Sequence, residues 1–306
     1  MPEYKTYHVI LNFETVEEKL DFGDFQIISV RQGLEAKKWR EKISCKVVPH
    51  HILIKEFPNY VMQDDDFSGF DQIYDSIRDL LLPFRLFKPG DIFFIDSLIE
   101  DEESGGRWID LYNIGRSSAS RYSFEKKEID EFNTFRKNIT SSIGFRNKFF
   151  QFALEHFMAG VDKVFFYRIQ GLGRIVDYVI ALESLFLIDN KKYFLRGTIA
   201  ERVSKFMNDE DVRVLVKKMY DERSNIVHGN YVNREGTAWE VKKQEMKTLM
   251  DKFEVLIRSI LIKLFGYNFP AVKEVMQFME GLYDPPMEAL EIMEVAKATA
   301  DKLFRK

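Results

Sequence analysis

Cysteine is nearly absent from this chain. Cys45 is the only one in 306 residues, which excludes an intrachain disulfide and a cysteine-based structural zinc site, and fits a reducing compartment. Long apolar runs are also missing. No stretch reaches the roughly 20 residues that a membrane span needs, and the N-terminal MPEYKTYHVILNF lacks the basic start, apolar run and small-residue cleavage site of a secretory signal. These absences lead to the expectation of a cytoplasmic protein with no membrane partner. A strongly basic balance is missing too. The net charge is −4, yet residues 145–265 hold 21 Lys and Arg against 16 Asp and Glu. That mild excess could offer a local polyanion site without the signature of a dedicated nucleic-acid binder. No internal repeat or low-complexity segment occurs, and Trp39, Trp108 and Trp239 are too scattered for a base-stacking platform.

What is present suits a globular chain. At 45% hydrophobic and 31% charged residues, it can bury a sizeable core and is long enough for two modest domains. Its first part carries short β-like runs at 7–13, 25–30, 51–57, 91–99 and 107–114, mixing alternating and continuous apolar patterns. A helix at 66–84 is expected to cross this sheet, the acidic 100–106 stretch to connect a hairpin, and 123–139 to form a linking helix capped by Ser123. From about 145 the apolar period becomes helical. Helices are predicted at 145–161, 173–188, 195–208, 209–229, 237–266 and 270–283, with another after Pro285–Pro286. In 173–188 the apolar positions cover most of the circumference, so this helix is expected at the centre of a bundle. The fold class is therefore an α+β N-terminal domain, 1–140, followed by an all-α helical domain, 145–306, with a C-terminal helical extension.

The stretch YDERSNIVHGNY, 220–231, holds the candidate site. Arg223 and His228 are separated by about 140° around a helix, and Gly229 stands where a helix would stop. Ser224 is the i, i+4 neighbour of His228, so its hydroxyl is expected to bond the imidazole while Ile226 and Val227 pack inward. An arginine that grips phosphate beside a histidine that moves protons is a minimal kit for metal-free phosphodiester cleavage. Spacing alone leaves the alternative open that Arg223 is a surface residue and His228 an ordinary helix-end histidine.

The segments GRIVDYVIALESLFLI, RGTIAERVSKFM and MYDERSNIVHG, in this order and spacing, resemble the Apea-like branch of the HEPN domain superfamily over about 145–265. The resemblance implies that Arg223, four intervening residues and His228 form the family's R-x4-6-H element. It also matches Asp177 and Glu183 on one helix and Arg202 on the next to further family positions, with Ser224 and Asn225 supporting. The implied activity is a metal-independent endoribonuclease with no cofactor, whose homodimer brings two motifs together on an RNA substrate and leaves 2′,3′-cyclic phosphate ends. The implied setting is prokaryotic antiphage or toxin-type defence, with a trigger sensed by the N-terminal domain. Active members often carry Asn, Asp or His after the arginine; here Ser224 keeps a polar contact with a shorter reach. Two alternatives stand beside this. One is a non-catalytic HEPN module that dimerises and binds RNA, nucleotide or a protein partner. The other is a toxin held by a nucleotidyltransferase antitoxin that modifies a tyrosine, for which Tyr231 is the candidate although it lies one position beyond the usual slot.

Other candidates carry less. His50 and His51 alternate across a strand and would not chelate one metal together. The carboxylates of 63–66 and 100–103 are expected to be solvated loop charges. GLGR, 171–174, has no leading strand and reads as a helix connection. Asp177 and Glu183, on a mostly apolar helix, are expected in a buried ion pair with Arg202 or Arg223.

Overall fold

In the computed structural model the described residues are 4–30, 51–57, 79–90, 92–101, 105–110, 121–162, 172–187, 195–231, 237–269 and 271–281. His50, the 63–66 carboxylates, Glu102, Glu103, Trp39 and the segment after Pro286 lie outside them. The chain divides into two compact units, Met1–Lys137 and Asn138–Lys306.

In the first unit, alternating and continuous apolar runs become strands β1 (Tyr4–Leu11), β2 (Phe13–Glu14), β3 (Lys19–Asp21), β4 (Phe25–Ser29), β5 (His51–Phe57), β6 (Phe93–Asp101), β7 (Gly105–Asp110) and β8 (Tyr122–Ser123). Six form one sheet in the order β3-β4-β5-β1-β6-β7, with every neighbouring pair antiparallel, while β2 and β8 pair in parallel. Strands β6 and β7 pair antiparallel from Asp101 opposite Gly105, the expected hairpin. Helix α1, described over 79–87, runs past Pro83 and beyond the predicted end at 84. It delivers Phe84 into an aromatic core with Phe22, Phe25, Phe124 and Phe132; the Phe84 and Phe132 rings stack at 4.2 Å. Its Arg85 is buried and donates to the Ile92 carbonyl at 3.1 Å, so the charge is spent inside the fold.

The linking helix starts later than predicted. Ser123 is committed to β8, opposite Glu14, so it cannot cap. A 3₁₀ turn, Lys126–Glu128, opens the segment instead, with the Glu128 carboxylate accepting from the Glu125 N–H at 2.7 Å. Helix α2 (Ile129–Ser141) follows.

Thr6, His8 and Ile10 are buried on one face of β1 and Val9 on the other, with His8 1% exposed. Burial, with Lys55 adding to it, pushes its pKa from 6.5 down to about 3. The unfolded chain binds a proton that the fold refuses, so stability is full above pH 6.5 and falls as pH drops toward 3. Between pH 7.5 and 5 the loss from this group is about 2 kcal/mol. Thermal melts at the two pH values check this: His8→Phe should show a smaller drop in Tm than the parent.

The second unit is helical: α3 (Ile143–Arg146), α4 (Lys148–Asp162), α5 (Gly173–Phe186), α6 (Leu195–Met207), α7 (Glu210–Val227), α8 (Thr237–Tyr267) and α9 (Val272–Met279). Helix α5 packs against α4, α6, α7 and α8, with Ile175, Tyr178, Val179, Ala181, Leu182, Leu185 and Phe186 all buried. Its encircling apolar surface requires that central place. Helix α4 comes close because Gly160 faces Tyr178: a Cβ there would sit 2.4 Å from the ring's Cε1. Gly160→Ala should therefore destabilise by about 1–3 kcal/mol through overpacking, despite alanine's better helix propensity. A urea melt reads this, and adding Tyr178→Leu should restore most of the loss.

Candidate functional site

Helix α7 opens at Asp209, whose carboxylate accepts from the Asp211 N–H at 2.9 Å. Its inward stripe is Val212, Val216 and Met219, and the next position on that stripe is Glu222, also buried. A carboxylate in an apolar stripe needs partners, and Glu222 has three. The Tyr231 hydroxyl donates to it, as do Lys242 Nζ at 3.0 Å and Asn225 Nδ2 at 3.4 Å. Burial raises the pKa of Glu222, but these donors outweigh it and hold it below the usual glutamate range.

Arg223, one residue on, is half-buried. Its guanidinium carbon lies 5.9 Å from the centre of the Tyr220 ring, within cation–π range. The Tyr220 hydroxyl donates to Glu183 Oε1 on α5, and its pKa is raised by burial and then by that carboxylate. The Arg223 Nε is buried and makes no hydrogen bond among the described residues. Arg223 is therefore fixed at its stem by packing and retains donor capacity.

His228 ends the helix as its C-cap residue, and its side chain is exposed. Gly229 follows at φ +71°, a left-handed turn that favours glycine. The Gly229 N–H donates to Ile226 O at 3.0 Å and the Asn230 N–H to Asn225 O at 2.9 Å, a Schellman stop. Its last amides and carbonyls are thus paired, and the imidazole faces solvent.

Several expectations are corrected here. Among the described residues Ser224 makes no bond to the imidazole; its carbonyl accepts from the His228 backbone N–H at 3.0 Å, and His228 is exposed. Val227 is 55% exposed, since it lies about 140° around the helix from buried Glu222; Ile226, about 40° away, is half-buried. The carboxylates on α5 do not share one ion pair. Asp177 faces α4, where it meets His156 Nδ1 at 3.3 Å, and Glu183 faces Tyr220 on α7. Six helical residues place them about 120° apart, toward different neighbours. Arg202 donates to the Phe186 carbonyl at 2.7 Å, closing the end of α5. Among the described residues Arg223 reaches a carboxylate by way of Tyr220. Tyr231, considered for modification, has its hydroxyl on Glu222. His51 is fully buried with its ring edge-on to Phe13 at 5.2 Å, a core residue.

Sequence reading missed Tyr220, Glu222, Lys242 and His156. The signal for Glu222 was its place three residues after Met219 on the inward stripe. It also missed an ion cluster between α5 and α8, in which Glu254 takes hydrogen bonds from Arg174 and Arg258 with the Tyr178 hydroxyl 3.1 Å from Arg174.

Among the described residues no group of three or more His, Cys, Asp and Glu is placed to hold a metal ion, and no single helix is long and apolar enough to cross a membrane. Set against protein-family models, curated proteins and solved structures, the chain matches none. The structure itself gives an N-terminal sheet followed by a helical region.

Proposed function

We propose that this protein is a metal-independent endoribonuclease that acts as a homodimer of its helical domain, of the Apea-like HEPN type that the sequence resembles. The observation that carries this reading is the end of α7: an arginine with an uncommitted buried Nε, within cation–π range of a tyrosine, one and a half turns from a solvent-facing histidine at a glycine-fixed stop. Their offset of about 140° keeps them from converging within one chain. A two-fold partner would supply the complement, so that one shared cleft holds groups from both chains.

In such a cleft one imidazole takes the proton of the ribose 2′-hydroxyl as that oxygen attacks phosphorus. The partner's His228 gives a proton to the departing 5′-oxygen. The Arg223 guanidiniums stabilise the charge that builds on the phosphorane oxygens. The products are a 2′,3′-cyclic phosphate and a 5′-hydroxyl, and DNA, lacking the 2′-hydroxyl, is spared. The N-terminal unit is assigned the sensing of a trigger, and defence against phage or a toxin role is the setting the resemblance implies.

Purified protein incubated with mixed RNA and a chelator tests the reading: RNA fragments with cyclic phosphate ends are expected, and single-stranded DNA of the same sequence should stay intact. Cleavage that requires a divalent ion, or that cuts DNA equally, overturns it. One observation favours a second reading, a non-catalytic RNA-binding dimer. Among the described residues no side chain, Ser224 included, bonds the His228 imidazole. RNA retained without cleavage, by a dimer supplied with its trigger, would decide for that reading.

A further inference from the structure

The residues after helix α7 are tied down by a buried carboxylate on the helix itself. Glu222 receives the Tyr231 hydroxyl, Lys242 Nζ from α8 and Asn225 Nδ2. Asn225 in turn accepts from Asn230 Nδ2 at 3.0 Å through its side chain and from the Asn230 N–H at 2.9 Å through its backbone. Residues 230 and 231 are thereby fastened to the turn that begins at 222. His228 and Gly229 form the short span between the fastened helix and the fastened strap, and Gly229 sits at φ +71°.

We propose that Glu222 is a positioning residue for His228: by holding Tyr231, Asn225 and Lys242 together it sets the backbone that aims the imidazole. This deepens the nuclease reading and rests on His228 moving protons in it. The geometry has an economy that a purely structural role does not explain. A buried carboxylate that only tied α7 to α8 would need Lys242 alone, whereas two of its three donors serve the strap, Tyr231 directly and Asn225 by also holding Asn230. Since the His228 ring has no hydrogen bond of its own among the described residues, its placement depends on its backbone. A displacement of about 1 Å at a catalytic group can cost on the order of 100-fold in rate.

The test uses full-length protein, RNA cleavage kinetics and amide hydrogen exchange. Tyr231→Phe removes one strap bond while leaving Glu222 with Lys242 and Asn225; Glu222→Gln weakens all three. Both should lower kcat, by roughly 10-fold and 100-fold, with KM within about twofold, and both should speed exchange at the Asn230 amide. On a His228→Ala background neither should slow cleavage further, although exchange at Asn230 should still rise. If kcat holds in Tyr231→Phe while Asn230 exchange rises, the strap does not aim the histidine and the proposal falls. If the variants lose rate equally with and without His228, their effect is on folding and the proposal also falls. If His228→Ala itself cuts RNA at the parental rate, the nuclease reading fails, and this is seen before any strap variant is compared.

Discussion

Alanine at His228 should slow RNA cleavage by at least about 100-fold, and alanine at Arg223 by a similar or larger factor. A positioned general acid or base contributes about 10²–10⁴-fold, and a guanidinium at a developing phosphorane charge about 10²–10³-fold. In a composite site each substitution acts twice, because both protomers lose the group. The folded state should be little changed. His228 is exposed, and its backbone bond to Ser224 survives removal of the ring; Arg223 contributes its Nε to no hydrogen bond among the described residues. Far-UV circular dichroism and Tm should therefore match the parent while initial rates fall. Mixed dimers of one Arg223→Ala and one His228→Ala chain sharpen the test, because a shared cleft made from both chains would leave one intact half-complement in each mixed dimer. Undiminished cleavage in both single variants would end the assignment of these two residues.

The largest loss of stability is expected at Glu254. Its carboxylate bridges Arg174 and Arg258, the latter fully buried, and both charges lie between α5 and α8. Removing the acidic member leaves two guanidiniums in a low-dielectric interior without the group that joins them, and breaking a buried pair in this way costs about 3–5 kcal/mol. For a chain of 306 residues that corresponds to a fall in Tm of about 5–8 °C. Glu254→Leu, measured by thermal and urea melts, checks it. Substituting Glu254, Arg174 and Arg258 together with apolar residues should be milder than Glu254→Leu alone, since the guanidiniums leave together with the carboxylate that joins them. The pH dependence follows the same logic. Burial pushes the Glu254 pKa up, but Arg258 and Arg174 outweigh it and hold it below the usual range. Its contribution is full above the ordinary glutamate pKa and is lost as pH falls through the depressed value. A Tm unchanged by Glu254→Leu would show that the cluster contributes nothing net.

Periodicity made the elements legible and left their partnerships hidden. The strands at 25–30 and 51–57 and the helices at 173–188 and 209–229 lie within a residue or two of their observed bounds, because an apolar period is a local property of the chain. The central place of α5 was readable from an apolar surface that covers most of its circumference. Pairing of charges was not, because it depends on rotation and neighbours that no local pattern records. Asp177 and Glu183 were expected in a buried ion pair with Arg202 or Arg223 and serve two different helices. Glu254 and Arg258 are an i, i+4 pair inside an apolar run, a spacing that usually means a solvated face. The helix stop at Gly229 was visible in its glycine, whereas the strap on Glu222 was not, since Tyr231 and Lys242 reach it from nine and twenty residues away.

Helix α5 has a consequence for how this chain can change over generations. With Asp177 committed to one neighbour and Glu183 to another, inserting or deleting a single residue between them would turn one contact about 100° away from its partner. Most of the helix's other positions are buried against neighbours, so the shifted residues would meet packed side chains. Lineages descended from such a sequence should therefore vary the lengths of their loops while the spacing from 177 to 183 stays fixed, making this short interval a ruler against which distant copies of the fold can be aligned.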